Sequence, residues 1–373
     1  MRVNWRSIKW AKNSYAALYA ACEQSGILLH ETNKPADDIT CYSLNSIDEP
    51  HYRDEIADAG CITIVGGPHA SACPHEVATY ADYVVVGEGE FTLPALIRSI
   101  GDGCGHVPPG VCSGDVCRPS TSQVFLPAYR PFTRVKGTIE ISRGCPYHCA
   151  YCQTPCLFGN RMRHRTIEGI VEAAEHYRDV RFVTPNALAY GSDGTHPRLD
   201  RVEALLRALK GHRIFFGTFP SEVRPEWITD ESLDLITSYA SNRKLHFGAQ
   251  SGSDRVLRLL KRGHTTGDVM HAVDLCHDHG IIPVVDYIFG FPFETDEDQN
   301  ASIEQIREVA RYGKIHAHYF TPLPGTPLAG TTPRDVLPEV QNILGNLALR
   351  GKATGSWIEA EIRFFSRNEN QYP

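Results

Sequence analysis

Arg143-Gly144-Cys145-Pro146-Tyr147-His148-Cys149-Ala150-Tyr151-Cys152 is the stretch from which the rest of the chain is read. It places three cysteines at Cys-x3-Cys-x2-Cys directly behind a short β-rich run, residues 138–142. A loop this short can wrap three thiolates around one iron-sulfur cluster and leave one iron without a protein ligand, open to a small molecule. The competing reading is a structural zinc site completed by His148, Cys156 or His164. Zinc sites more usually come as two separated Cys-x2-Cys or Cys/His pairs, so a triplet at the end of a strand favours the cluster. Cys156 reads as a nearby thiol rather than a ligand.

Outward from the triplet, β-rich runs alternate with amphipathic helical patterns. The strands expected are 138–142, 181–184, 214–218, 245–249, 283–289 and 315–320. Between them Val202, Leu205, Leu206 and Leu209 repeat at helical spacing behind Asp200 as a cap. Val269, Ala272, Val273 and Cys276 do the same and stop at Gly280. Ile303, Ile306, Val309 and Ala310 follow, opened by Thr295 and closed at Gly313. Six βα units imply parallel strands with right-handed crossovers, and six rather than eight suggest an incompletely closed barrel whose chemistry lies in the loops after the strands.

Upstream, a helix over 14–23 and strands over 38–43, 61–65 and 83–86 suggest an open α/β sheet, with the weaker run 3–10 as its first strand. Two strands end in glycine turns, Gly66-Gly67-Pro68-His69 and Gly87-Glu88-Gly89-Glu90, at the edge where such sheets bind ligands. No third glycine follows at the dinucleotide offset. Residues 101–137 read as a connector, with a hairpin where Val111-Cys112 and Val116-Cys117 flank Ser113-Gly114-Asp115. Residues 331–373 read as a tail with one helix around 335–349.

The 373 residues suggest two domains, and 42% apolar with 22% charged residues gives an ordinary globular core. A net charge of −7 supplies no general electrostatic footprint for nucleic acid, which is not expected as a partner. The best apolar run, 281–291, is short and carries Asp286, so no membrane span is expected. The basic start leads into a short Ala-rich segment ended by Glu23, a poor export signal. Twelve cysteines without such a signal point to a reducing, cytoplasmic setting. Cys112 and Cys117 read as paired hairpin positions or small buried residues, against a second cluster shared with Cys104 or Cys73.

With Tyr151 just before its third cysteine, the triplet resembles the signature of the radical S-adenosylmethionine (SAM) superfamily. The resemblance implies that Cys145, Cys149 and Cys152 hold a 4Fe-4S cluster. Its fourth iron would be chelated by the amino and carboxylate groups of SAM. Reduction, by a donor such as ferredoxin or flavodoxin, would cleave SAM to a 5′-deoxyadenosyl radical that abstracts hydrogen from the substrate. The likeness extends downstream. Thr184, Pro185 and Asn186 fall where the family contacts the SAM amino group, although the usual Gly-Gly-Glu or acidic pair is absent. Gln250 and Ser251 fall at further SAM contacts, whereas Ser253 reads equally as a helix cap. Gly290, in Ile288-Phe289-Gly290-Phe291-Pro292, falls where backbone lies against adenine, and Phe320 to Pro327 matches the sixth-strand loop. Glu222 or Arg224 would approach the SAM carboxylate or substrate, or form a solvated ion pair.

The segments Ile64 to Ser71 and Asp82 to Glu90 are similar to the cobalamin-binding Rossmann-like domain that precedes many radical SAM barrels. That likeness implies that Gly66, Gly67, His69, Gly87 and Glu88 face a corrinoid, with His69 read equally as a turn-stabilising residue. No Asp-x-His-x-x-Gly motif is present, so a histidine lower-axial ligand is not expected. The fold class expected is therefore α/β, an N-terminal Rossmann-like cobalamin-binding-type domain (1–100) followed by a linker (101–137), a partial (β/α)6 TIM-type radical SAM barrel (138–330) and a C-terminal helical tail (331–373). Three functions stand: cobalamin-dependent methyl transfer to an unactivated carbon of a small molecule, lipid or peptide; radical SAM chemistry without cobalamin, as in methylthiotransferases; and a non-catalytic metal-stabilised binding protein. Neither a C-terminal RNA-binding module nor a second cysteine triplet is evident in support of the methylthiotransferase reading.

Overall fold

The computed structural model describes residues 1–103, 106–118 and 123–357, and Cys104 lies outside them. The chain is mixed α/β and divides into two compact units. Residues 1–144 and 153–176 form the first, and residues 145–152 with 177 onward form the second.

The first unit is built on a seven-stranded sheet of β1 (Val3–Arg6), β2 (Leu29–Thr32), β3 (Ile39–Ser43), β4 (Ile62–Gly66), β5 (Tyr83–Val85), β6 (Val111–Ser113) and β7 (Val116–Arg118). The spatial order is β2-β1-β3-β4-β5-β6-β7. The first five strands are parallel and the last two antiparallel. All five residues of β3 are buried, as a central parallel strand covered on both faces requires. β2 carries no sequence signal because it is an edge strand, with only Leu29 buried.

The hairpin expected within the connector forms, but it is not free. β6 pairs with β5 and so extends the sheet, and Cys112 faces Cys117 across it in a disulfide. That pairing removes both cysteines from any second cluster. Two short antiparallel strands, β9 (Ser142–Arg143) and β10 (Arg163–His164), follow β8 (Ile139–Glu140) in the same unit.

In the second unit β11 (Asp179–Val183) pairs in parallel with β12 (Arg213–Phe215). A four-stranded parallel sheet runs β13 (Lys244–Gln250), β14 (Ile282–Phe289), β15 (Lys314–Tyr319) and β16 (Ala353–Ser356). The tail is therefore not only helical. After the expected helix, found at Pro338–Leu349, the chain returns as β16 beside β15.

Helices join the strands where periodicity placed them, at Leu199–Ala208, Thr266–Asp278 and Asp296–Tyr312. The first begins one position before Asp200; its cap is Arg198, and Asp200 pairs with that arginine instead. Thr295 caps the third in a reciprocal capping box with Asp298. No helix among the described residues is long and apolar enough to cross a membrane.

Candidate metal centre

The chain enters the cysteine loop from a buried ion-pair network at the end of β9 in the first unit. Arg143, buried at the end of β9, donates to Glu140 at 2.7 Å and to Glu90 at 2.5 Å, with Glu88 at 3.6 Å. Burial alone would raise the Glu90 pKa, but the Arg143 charge and hydrogen bond hold it below the usual carboxylate range. Gly144 has φ +86°, and a Cβ there would meet the Arg161 carbonyl at 2.2 Å. Only glycine allows the turn into Cys145.

The loop itself belongs to the second unit. Cys145, Cys149 and Cys152 are free thiols; Cys149 is buried and the other two half-buried. The Ala150 amide donates to the Leu260 carbonyl at 2.9 Å and the Cys152 amide to the Cys149 carbonyl at 3.0 Å. Arg262 Nη1 donates to Cys149 Sγ at 3.7 Å and Nη2 to the Gly248 carbonyl at 3.2 Å. The Arg224 guanidinium stacks 3.5 Å from the centre of the Tyr147 ring and pairs with Glu226.

Burial pushes the Cys145 thiol up, and Cys152 and Cys149 push it the same way. Three free thiols in one eight-residue loop, with an arginine donating to one of them, are a donor set suited to a cationic iron-sulfur cluster. Of the other ligands considered for zinc, His148 is exposed and His164 Nδ1 is taken up by Ser142 Oγ at 2.8 Å.

Tyr151 packs inward, its ring 6.0 Å from Phe291, in an apolar cluster with Ala150, Val256, Leu260 and Phe320. Beside it the β13 register shifts between Gly248 and Gln250, and Gln250 takes φ +68°, rare for a side-chain-bearing residue. Ser251 Oγ lies 3.4 Å from Ser302 Oγ and accepts from the Ser253 amide, while Ser253 caps the helix Asp254–Leu259.

After β11, Thr184 and Asn186 are buried and Pro185 half-buried. Asn186 Oδ1 caps a turn, and its Nδ2 is buried without a partner among the described residues, as is Arg262 Nε. Two such donors suit a polar ligand. Gly290 has a reason of its own: a Cβ there would sit 2.6 Å from the Tyr319 ring.

The residues expected against a corrinoid lie in the first unit. Gly67 is required by the chain itself, because a Cβ would meet the Leu44 backbone at 2.7 Å, whereas a Cβ on Gly87 (φ +79°) or Gly66 would meet open space or ordinary contacts. Glu88 is engaged in ion pairs with Arg163 and Arg143. His69 is buried, Nδ1 3.2 Å from Ser46 Oγ.

Sequence reasoning assigned no role to Arg262, although the Lys261-Arg262-Gly263-His264 segment drew notice, nor to Asp286. The signal for Asp286 was its charge inside an apolar strand. His316 Nδ1 lies 3.3 Å from Asp286, level with it on β15. Burial holds the Glu222 carboxyl well above its ordinary range, and the hydrogen-bonded Asp286 pushes it further. A carboxyl in this state keeps its proton beside its neighbour.

Residues 139–306 match the Radical SAM superfamily. The chain is 28% identical over 292 residues to a tRNA-2-methylthio-N(6)-dimethylallyladenosine synthase of Chlorobium phaeobacteroides, covering 72% of this chain and 60% of that protein. It is 30% identical over 302 residues to the enzyme of the same name from Aeromonas hydrophila, covering 76% and 60%. The chain thus spans about 60% of the length of these relatives.

Among solved structures, the radical SAM methyltransferase TsrM from Kitasatospora setae, with cobalamin and a 4Fe-4S cluster bound, superposes with a TM-score of 0.69 at 18% identity. The match covers 88% of this chain and 74% of that one. The cobalamin-dependent radical SAM enzyme OxsB gives 0.64 at 16% identity, covering 98% and 56%. Residues 139–306, which include the cysteine loop and its three free thiols, thus match the radical SAM superfamily, and the chain shares its fold with these enzymes.

Proposed function

We propose that this chain is a radical SAM enzyme whose second unit is a partial (β/α)6 barrel and whose first unit is a Rossmann-like carrier of cobalamin, together transferring a methyl group to an unactivated carbon. The observation that carries the radical SAM part is the free triplet Cys145, Cys149 and Cys152 with Arg262 donating to Cys149 Sγ. These thiolates would hold a 4Fe-4S cluster, which when bound supplies the electron for reductive cleavage of SAM.

The chain's own groups prepare that event. Arg262 neutralises thiolate charge, Arg224 braces Tyr147, and Asn186 Nδ2 is a donor free for the SAM amino acid moiety or its neighbouring water. Phe291, Phe293, Phe320 and Tyr151 form an apolar wall that keeps water from a reactive intermediate. Glu222, buried beside Asp286, keeps its proton and can serve as a proton donor.

Cobalamin is supported by fold likeness to TsrM over most of the chain and by glycine turns at the carboxyl ends of β4 and β5. The second reading, methylthio transfer, is favoured by the names of the sequence relatives. A small-molecule, lipid or peptide substrate, a flavodoxin or ferredoxin reductant and a cytoplasmic setting complete the proposal.

The test is anaerobic reconstitution with iron and sulfide, then incubation with SAM and reductant, with and without hydroxocobalamin. Formation of 5′-deoxyadenosine that is lost in Cys149→Ala supports the radical SAM reading, and a colourless, inactive protein overturns it. A stoichiometric corrinoid spectrum after gel filtration supports the cobalamin part. Undiminished 5′-deoxyadenosine formation with no retained corrinoid sinks that part and leaves methylthio transfer standing.

A further inference from the structure

The carboxyl edge of the first sheet holds a second set of metal-type donors, independent of the cysteine triplet. The loops after β3 and β4 meet there: the His69 amide donates to the Leu44 carbonyl at 3.1 Å, and His69 Nδ1 lies 3.2 Å from Ser46 Oγ. His69 lies in the short helix Pro68–Ala72, Glu76 in the short helix Pro74–Val77, and Cys73 at the junction between them. A ring nitrogen of His69, the Cys73 sulfur and a Glu76 carboxylate oxygen all lie within 4.8 Å of one another.

We propose that His69, Cys73 and Glu76 bind a divalent cation of zinc type, with one coordination position left for water or an exogenous ligand. His69 is only 1% exposed, and its Nε2 has no partner among the described residues. A buried nitrogen without a partner is costly, and in the tautomer in which Nδ1 donates to Ser46 Oγ the lone pair stands on Nε2. Burial also lowers the His69 pKa, which keeps the ring in its neutral, metal-binding form.

Cys73 is a free, half-buried thiol. Nitrogen, thiolate and carboxylate together select zinc or cobalt over calcium or magnesium, and three protein ligands are the number found in open zinc sites. Arg53 pairs with Glu76 but also donates to Glu49 at 2.7 Å, so it keeps a counter-charge when Glu76 turns to a cation. The two carboxylates outweigh the one guanidinium, and the local field favours a positive ion. Binding replaces the Cys73 proton, one per ion, and affinity therefore rises with pH.

The inference goes beyond the cluster and the corrinoid, and its test keeps them apart. Full-length protein with Cys145, Cys149 and Cys152 all changed to alanine is titrated anaerobically with Co2+, and Zn2+ affinity is read by competition with a chromophoric chelator. One equivalent of Co2+ with thiolate-to-metal charge-transfer absorption is expected. The band should vanish in Cys73→Ala, and Zn2+ should bind more than about 100-fold more weakly, a larger loss than an outer-shell partner causes. Cys61→Ala, which removes a half-buried thiol elsewhere in the unit, should change neither. Glu76→Gln, nearly isosteric, should weaken Zn2+ about 10-fold and guards against misfolding of the Cys73 variant. In iron-loaded wild-type protein, one zinc per chain should appear beside undiminished cluster iron. No tight first equivalent, or a charge-transfer band that survives Cys73→Ala, overturns the proposal.

Discussion

Arg262 stands 113 positions from Cys149 in sequence, yet its guanidinium links the Cys149 sulfur to the Gly248 carbonyl. A donor to a ligating sulfur tunes both retention and potential of a cluster. Arg262→Leu is therefore expected to lower 5′-deoxyadenosine formation about 10–100-fold and to reduce iron retained per chain, with partial recovery in Arg262→Lys. Iron assay and product quantification on anaerobic protein check this; unchanged values would remove Arg262 from the site. The cysteines were legible because their spacing is local and the chemistry depends on residue type. Arg262 was not, because nothing in Lys261-Arg262-Gly263-His264 says which sulfur it will meet. Gly290 shows the converse: a glycine marks a close approach, and the structure supplies the Tyr319 ring as the approaching group.

The helix Asp296–Tyr312 and the turn before it carry two separable energies. Thr295→Ala removes the side-chain half of a capping box and should cost about 1 kcal/mol, read as a lower denaturation midpoint at unchanged slope. Glu294, just before the cap, is buried and accepts from the Gly290 amide at 2.7 Å. Burial pushes its carboxyl up from 4.5 to about 7. The folded state thus holds this proton more tightly than the unfolded chain does. Its contribution is fully present below the unfolded value of 4.5 and is lost as pH rises to about 7, a swing of about 3 kcal/mol. Glu294→Gln should flatten the pH dependence of Tm across that window, and a slope identical to wild type would refute the assignment. At this scale the sequence was a good guide, since caps and helical periodicity are short-range. It failed for β2 and β16, a half-exposed edge strand and a strand with only Ala353 buried, because neither needs an apolar pattern of its own.

Across each unit, long-range pairings decide what the local elements become. In the first, Arg143 gathers Glu88, Glu90 and Glu140, drawn from two regions of the chain 53 or so positions apart. Arg143→Leu strands Glu90 as an uncompensated buried charge, and a loss of about 3–5 kcal/mol is expected in denaturant titration, with cluster assembly impaired as its anchor loosens. A change below about 1 kcal/mol would show the network to be solvated. In the second unit, the parallel register of β13, β14 and β15 sets Gly248, Asp286 and His316 level with one another, and so creates the acidic pair with Glu222. By itself the sequence determined the cysteine triplet, the βα alternation, most helix ends and the glycine turns, because each is fixed by residues within a few positions of one another. Only the tertiary structure decided that the Cys112–Cys117 hairpin joins the sheet beside β5, that Arg262 serves Cys149 and that Glu88 is held by arginines. Those outcomes depend on register and burial, which arise when distant segments pack and have no counterpart in local spacing.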